Sequence, residues 1–161
     1  MTDDTDILKE QQRPTTGALP TQPQLTIAEA AQRLRAGDLT AVALVEDCLE
    51  RIAHLDGTLQ ACVTVMADQA LAAARVADQQ LQDQRARRTL SPLVGMPIGV
   101  KDLIATAGIR TTGGSRVLDD WIPDEDATVV TKLRAAGAIP IAKTNTHEFA
   151  YGVFTPPTRN P

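Results

Sequence analysis

Residues 92–102 read PLVGMPIGVKD and lie within a longer apolar run. Pro97 restricts the first half of this run, because proline fixes its own φ angle and has no N–H for a β ladder. The sequence therefore predicts a strand over 98–100. That strand leads directly into Lys101-Asp102, so two charged residues follow an apolar element.

Before this run, the chain shows the periodicity of helices. Thr26 is a suitable N-cap, and apolar residues then recur at helical spacing up to Gly37, a natural C-terminal stop. A second amphipathic helix is predicted to begin after Thr40 and to end at Asp56-Gly57. Together the two segments predict an N-terminal helical hairpin.

Strand and helix patterns alternate along the rest of the chain. The further predicted elements are a strand over 61–66, a helix over about 67–84, the strand over 98–100, a helix capped by Asp126 and closed by Gly137, a strand over 138–142 and a short helix over about 145–151. In the helix after Asp126, the residues predicted to face inward are Val129, Val130, Leu133 and Ala136. This alternation predicts an α/β fold with a partly parallel sheet.

Composition excludes several classes of function. Lys and Arg total 16 and Asp and Glu total 20, and the net charge of −4 argues against a nucleic-acid-binding protein. We interpret the basic cluster at Arg85, Arg87 and Arg88 as a solvated loop. Only four aromatic residues are present, too few for a base-stacking platform. No apolar run approaches the ~20 residues of a membrane span, so no membrane segment is predicted.

The length of 161 residues is that of one domain. Residues 1–24 are polar, contain three prolines and lack periodicity, which predicts a flexible tail before a domain over 25–161. The tail also lacks the apolar core of a secretory signal. Cys48 and Cys62 form no C-x-x-C motif and lie among apolar residues. They predict reduced packing cysteines and a cytoplasmic protein.

Two of the four lysines are candidates for chemistry. Lys101 and Lys143 each end an apolar, strand-like run, where partial burial would lower the pKa of an amine. A lysine that is neutral near pH 7 can take a proton from a hydroxyl, directly or through a relay. The alternative is a structural lysine that pairs with a carboxylate such as Asp102, and spacing alone favours this alternative.

The serines and threonines do not mark a nucleophile by themselves. Ser91 precedes a proline and is interpreted as a turn residue. Ser115 follows Gly113-Gly114, in a turn that resembles an anion-binding turn, and it is a weak candidate for a nucleophile. Thr111-Thr112, in the same turn, are also interpreted as turn residues.

The two histidines share no motif. His54 lies near the end of the second predicted helix, where a positive side chain suits the helix dipole. His147 has no second histidine four residues further on, so it does not form a zinc-protease pair. The chain also contains no P-loop and no dinucleotide-binding fingerprint. The sequence therefore predicts no metal site and no cofactor.

Several segments from residue 92 onward resemble one enzyme family, the amidase signature family. They are PLVGMPIGVKD (92–102), GIRTTGGS (108–115), DATVV (126–130), LRAAGA (133–138), KTNTHEFA (143–150) and TRNP (158–161). Segments in this order and spacing are far more specific than any single motif. The helices predicted from Thr26 to Gln84 resemble the family's N-terminal helical region more loosely.

The resemblance implies hydrolysis of amide bonds, or transfer of the released ammonia, in an α/β/α sandwich with a mixed sheet. The family uses a serine–cis-serine–lysine triad, and its lysine corresponds to Lys101. The lysine acts through the bridging serine on the nucleophile, an acyl-enzyme forms, and water releases it. Lys143 belongs to the family's Lys-Thr-Asn segment and is interpreted as supporting the site.

The implied substrate is a small-molecule amide. A free amidase and the A subunit of glutamyl-tRNA(Gln)/aspartyl-tRNA(Asn) amidotransferase both remain open.

Two features depart from the family pattern. The family's glycine- and serine-rich segment, with both triad serines, follows the Arg-Asn-Pro run that ends here at Pro161, and this sequence has no adjacent serine pair. We therefore expect residues 25–161 to be an incomplete, N-terminal part of the amidase domain, inactive alone, with Lys101 as its catalytic residue. The alternative hypothesis is a non-catalytic remnant or a protein-interaction module. The loop between Gly152 and Thr158 is also shorter than the family's.

Overall fold

A computed structural model describes residues 25–83 and 89–152. Its helices and strands are α1 (Ile27–Ala36), α2 (Ala41–Leu59), β1 (Cys62–Val65), α3 (Ala67–Gln82), β2 (Pro97–Lys101), α4 (Thr128–Ala135) and β3 (Ile139–Thr144). Short 3₁₀ helices cover Arg116–Leu118 and Glu148–Ala150. The tail predicted over 1–24 and the loop predicted at Arg85, Arg87 and Arg88 lie outside the described residues.

The three strands form one mixed sheet in the order β1-β3-β2. β2 runs parallel to β3 and β1 runs antiparallel to it, which confirms the predicted partly parallel sheet. The central strand β3 is buried over its first five residues. It contains Pro140, but β1 pairs only with residues 142–144, so the missing N–H costs no hydrogen bond between these two strands.

The first helix follows its sequence signals closely. The Glu29 N–H donates to Thr26 Oγ1 at 3.2 Å, and the Thr26 N–H donates to Glu29 Oε2 at 2.8 Å, so the two residues form a capping box. At the other end Gly37 adopts the left-handed conformation and its N–H donates to the carbonyls of the last turn. The predicted boundaries of α1 are confirmed.

The second helix continues past the predicted stop at Asp56-Gly57, so that prediction is wrong. Gly57 lies in open space inside α2, and the helix ends when Gln60 adopts the left-handed conformation. Asp56 acts from within the last turn. Its Oδ1 accepts hydrogen bonds from the Ala61 N–H at 2.7 Å and from the Cys62 N–H at 3.0 Å. The carboxylate thereby satisfies backbone donors just beyond the helix, where β1 begins.

The fourth helix is also placed differently from its prediction. Asp126 does not cap α4, which begins without a side-chain cap. Instead, Asp126 Oδ1 accepts from the Ala107 N–H at 2.7 Å, and Oδ2 pairs with Arg134 Nε at 3.1 Å. Val130 is buried, but Val129, predicted to face inward, is 47% exposed. The Asp126 carboxylate therefore binds the backbone of a loop earlier in the chain rather than the backbone at the start of α4.

The short helix predicted over about 145–151 is reduced to a single 3₁₀ turn. Phe149 and Ala150 have φ angles of 49° and 57°, which a right-handed helix cannot accommodate. The third helix is close to its prediction and ends at Gln82.

One apolar core joins helices α1–α3 to the sheet. Its buried members are Ala30, Ala31, Leu34, Ala41, Val45, Ala70, Ala74, Ala77, Leu81, Val94, Met96, Ile139, Ile141 and Ala142. Half of them are alanines, whose small side chains let helix and sheet backbones approach closely. The backbone also approaches its neighbours closely at Gly137, which has a φ angle of 87°. A Cβ there would lie 2.8 Å from Val94 Cα.

Within residues 25–83 and 89–152, no helix combines the length and the apolar character that crossing a bilayer requires.

Candidate functional site

Lys101 is the last residue of β2 and lies opposite Thr144 of β3. Its side chain is exposed, whereas that of the preceding Val100 is buried. Successive residues of a strand point to opposite faces, so burial of Val100 directs Lys101 outward. The sequence predicted that the Lys101 side chain is partly buried. This prediction is wrong, because the side chain is exposed among the described residues.

Lys143, from the central strand, has the burial that the sequence predicted. Its side chain is fully buried, and Nζ donates to the Ile104 carbonyl, to Thr106 Oγ1 at 3.0 Å and to Thr111 Oγ1 at 2.8 Å. Burial lowers the pKa of this amine to about 8, although the Asp102 and Asp126 carboxylates oppose the shift. The candidate base and the buried lysine are thus different residues.

Asp102 closes a loop that begins where β2 ends. Its Oδ2 accepts from the Thr112 N–H at 3.1 Å and from Thr112 Oγ1 at 2.5 Å, and its backbone carbonyl accepts from the Gly113 N–H at 2.9 Å. We call residues 102–113 the 102–113 loop. The carboxylate is fully buried and binds Thr112 rather than Lys101, and Oδ1 has no donor among the described residues.

The glycine turn that follows does not bind anions through its backbone. The Gly113 N–H donates to the Asp102 carbonyl, the Gly114 N–H to Thr112 Oγ1 at 3.1 Å, and the Ser115 N–H to the Thr112 carbonyl at 3.1 Å. All three N–H groups are used inside the turn. The predicted resemblance to an anion-binding turn is therefore wrong, because Asp102 accepts from one of these donors and Thr112 from the other two.

The same turn is seated on the segment after β3. The Phe149 N–H donates to the Gly113 carbonyl at 2.7 Å, and Ser115 Oγ donates to Glu148 Oε1 at 2.7 Å. Gly114 has φ of 68°, and a Cβ there would lie 2.6 Å from the Thr146 carbonyl oxygen. Ser115 is buried and also accepts from the Val117 N–H, so its hydroxyl has a structural role.

The other candidate side chains lie apart. Ser91 Oγ accepts from the Leu93 N–H at 3.1 Å, which confirms its predicted place in a turn. His54 is exposed on α2, and its Nε2 lies 3.7 Å from Glu50 Oε1, one turn earlier. His147 follows β3, and its Nδ1 lies 3.3 Å from the Glu148 carbonyl. Across residues 25–83 and 89–152, no three His, Cys, Asp or Glu residues gather as a metal site.

The cysteines are free and half-buried. Both line an apolar cavity of about 260 Å³ between α2 and β1. Burial, together with the Asp56 carboxylate, raises the pKa of the Cys62 thiol to about 11, and burial raises the pKa of Cys48. Both side chains pack against the apolar core, which agrees with the prediction of packing cysteines.

Comparisons with known proteins agree with this arrangement. A model of the amidase family matches residues 43–161. The A subunit of the glutamyl-tRNA(Gln) amidotransferase of Chloroflexus aurantiacus is 47% identical over 131 residues, covering 81% of this chain and 26% of that protein. The crystal structure of the peptide amidase from Stenotrophomonas maltophilia has a TM-score of 0.71 and 38% identity, covering 80% of this chain and 26% of that one. A protein complex described as vestigial, which bears on the evolutionary origins of an s-triazine catabolic enzyme, gives a TM-score of 0.77 at 32% identity, covering 84% of this chain and 29% of that one.

These matches define an α/β protein built on the amidase-signature architecture. The chain belongs to the amidase family. It spans about a quarter of the length of the curated relatives it matches. The fold and the family expected from the sequence are therefore confirmed.

Sequence reasoning predicted the burial of Lys143 but missed its hydrogen-bond partners, and it missed the contact between Asp102 and Thr112. The Asp102–Thr112 contact joins residues ten apart, and the Lys143 contacts join residues more than thirty apart. No local periodicity reports such pairs. The available signal was a polar residue directly after an apolar strand, which marks Asp102 and, at the end of β3, Lys143.

Proposed function

We propose that this chain is the N-terminal part of an enzyme that hydrolyses amide C–N bonds, with Lys101 as its general base. The observation that supports the proposal is the position of Lys101. It is exposed at the end of β2, directly before the 102–113 loop, in a segment that matches the family. An exposed amine on a rigid strand end is accessible to a hydroxyl from another segment.

The chemistry follows from the amine form of Lys101. The amine takes a proton, through a relay hydroxyl, from a serine whose oxygen attacks the amide carbonyl. The C–N bond breaks, the leaving nitrogen takes a proton, and an acyl-enzyme ester remains. Water then hydrolyses the ester and restores the serine. Ser91 and Ser115 both serve turns, so in this proposal the nucleophile and the relay come from polypeptide outside the described residues.

We assign residues 25–161 to the amidase domain, although the family model begins at residue 43. Leu25 and α1 pack against the same core as α2 and α3, which supports the earlier boundary.

The substrate we propose is a small-molecule amide. Two free, half-buried cysteines fit a reducing compartment, and we propose the cytoplasm as the location.

A chimera tests the assignment of the base. Residues 25–161 replace the matching quarter of the Stenotrophomonas maltophilia peptide amidase, and ammonia release from a peptide amide is measured. We expect turnover in the chimera and, in Lys101→Ala, a fall in kcat of about 10²–10⁴-fold, the usual contribution of a general base. The matched control is Lys132→Ala, an exposed lysine of α4, which should leave kcat unchanged.

Turnover that survives Lys101→Ala would show that another group is the base. The 161-residue chain alone should release no ammonia. The intact mass of the protein in its source cells separates the two hypotheses left open by the sequence. A mass near that of full-length relatives supports the hydrolase, and a mass near 17.2 kDa favours the non-catalytic module.

A role within an amidotransferase and a role as a free amidase predict different assays. Release of ammonia by the complete enzyme alone indicates a free amidase. Release only in the presence of a partner protein indicates one component of an amidotransferase.

A further inference from the structure

Hydrogen bonds hold the 102–113 loop at two places. One is its neck, where residues 102 and 112–113 meet, and the other is its centre. At the neck, Asp102 accepts three hydrogen bonds from Thr112 and Gly113. At the centre, Lys143 enters from β3 and donates to three oxygens of the loop. Ile109 of the loop is buried, and the Gly108 and Thr111 N–H groups donate to the Pro123 and Trp121 carbonyls, so the Asp102 and Lys143 contacts share in fixing the shape of the loop.

The oxygens around Lys143 accept all the protons that an ammonium can donate. A charged lysine has three N–H donors, and here each meets one acceptor: the Ile104 carbonyl, Thr106 Oγ1 or Thr111 Oγ1. The match between donors and acceptors is therefore complete. An uncharged side chain of the same length would leave three buried oxygens without this donor.

The hydroxyl groups are also oriented. Thr106 Oγ1 donates its own proton to the Ile104 carbonyl at 3.1 Å, and Thr111 Oγ1 donates to the Ile109 carbonyl at 3.0 Å. Their lone pairs consequently face Lys143. The two threonines thus link the ammonium to the loop backbone on both sides of its turn, which is closed by a hydrogen bond from the Ile109 N–H to the Thr106 carbonyl.

We propose that Lys143 is a positioning residue: its buried ammonium fixes the 102–113 loop and thereby holds Lys101, at the neck of that loop, in its orientation for catalysis. The proposal rests on the function proposed above for Lys101. The two lysines lie on adjacent, paired strands, with Val100 opposite Lys143 and Lys101 opposite Thr144. The Asp102 N–H donates to the Thr144 carbonyl at 2.9 Å, so the loop leaves the sheet beside the residue that follows Lys143.

The first test uses the 161-residue chain and does not depend on catalysis. In a chain labelled with ¹⁵N-lysine, a spectrum that detects Nζ protons at about pH 6 should show Lys143 as a slowly exchanging ammonium, unlike exposed lysines such as Lys101 and Lys132. Lys143→Met identifies the signal. Absence of any protected ammonium in the wild-type chain overturns the proposal, whether or not the variant folds.

The second test measures the loop with a matched pair of variants. Thr111→Val keeps the shape of the side chain but removes the acceptor, and Thr111→Ser keeps the hydroxyl. We expect amide hydrogen exchange at Thr112 and Gly113 to rise about 10-fold or more in Thr111→Val and to stay within about twofold of wild type in Thr111→Ser. Equal exchange in the two variants overturns the proposal. Exchange in α3 serves as the control for global unfolding.

The third test connects the loop to catalysis, in the complete enzyme that contains this chain. Thr111→Val should lower kcat about 10-fold while KM stays within about twofold, and Thr111→Ser should retain kcat. Equal kcat values for the two variants overturn the positioning role. If Lys101→Ala has no effect on turnover while the first two tests succeed, the proposed function fails and the fastening of the loop by Lys143 stands.

Discussion

The α1–α3 layer and the 102–113 loop are stabilised by different interactions. In the helical layer the buried groups are apolar, from Leu34 and Val45 to a series of alanines. In and under the loop, the fully buried groups include Asp102, Thr111 and Lys143, and hydrogen bonds hold them. The comparison teaches that the stability of the helical layer depends on the shape and volume of its side chains, whereas that of the loop depends on hydrogen bonds between buried polar groups.

The largest expected effect tests the packed side of this comparison. Leu34→Ala removes a side chain that is 1% exposed, and we expect the free energy of unfolding to fall by about 3 kcal/mol, because the cavity collapses only in part. Urea denaturation of the chain measures the change. Leu59→Ala, at a position 64% exposed, is the control and should change stability little. Similar losses in both variants would mean that Leu34 is not in a packed core.

A second prediction breaks the comparison, because a carboxylate joins two helices of the helical layer by hydrogen bonds. Asp78 of α3 accepts from the Ala41 N–H at 2.6 Å and from the Val42 N–H at 3.1 Å, at the start of α2. Asp78→Ala should cost about 2 kcal/mol of unfolding free energy, since two backbone donors lose a charged acceptor. Thermal unfolding checks it, with the exposed Glu46→Gln as control. Equal melting temperatures in the two variants would contradict the role of Asp78.

A third prediction sharpens the polar side of the comparison at the loop neck. Thr112→Val removes the hydroxyl that donates to Asp102 and accepts from Gly114, so we expect a loss of about 1.5 kcal/mol. Thr112→Ser preserves both hydrogen bonds and should lose less than half as much. Denaturant midpoints of the two variants measure the difference. A valine variant as stable as the serine variant would show that the neck does not depend on this hydroxyl.

The smallest effect concerns pH. Burial lowers the pKa of Lys143 to about 8 from 10.5, so between these values the unfolded chain binds more protons than the folded one. The free energy of unfolding should therefore rise with pH in this window, by about 1 kcal/mol at pH 9. Below pH 8 the buried Lys143 is charged in the folded chain, so the full cost of burying that charge is subtracted from the free energy of unfolding. A ¹³C titration of the lysine Cε signals reads the midpoint directly, and a midpoint above 10 for Lys143 would contradict the prediction.

The parts of the fold that follow local rules could be predicted from the sequence. Thr26 and Gly37 bound α1 because capping acts within one turn of the chain. The strand after Pro97 was also predicted, although its real extent includes Pro97 and Lys101. In these regions each residue's role depends on neighbours a few positions away, and periodicity reports those neighbours.

The remaining features depend on contacts that periodicity does not report. Asp126 was predicted to cap α4, but it lies one residue before the N-cap Ala127 and binds Ala107, nineteen residues earlier. The exposure of Lys101 and the burial of Lys143 follow from which side of β2 and β3 each occupies, and their flanking residues look alike. The family resemblance identified Lys101 as the candidate base, but neither resemblance nor spacing indicated the oxygens around Lys143.

The strand order β1-β3-β2 has a consequence for the order of assembly during synthesis. The central strand is the last of the three to leave the ribosome, and β1 and β2 share no register with each other. Helices α1–α3 can form early from local contacts, but the sheet must await residues 139–144. The same six residues carry Lys143. The hydrogen bonds from Lys143 to the 102–113 loop can therefore form only after the strand that completes the sheet has been synthesised.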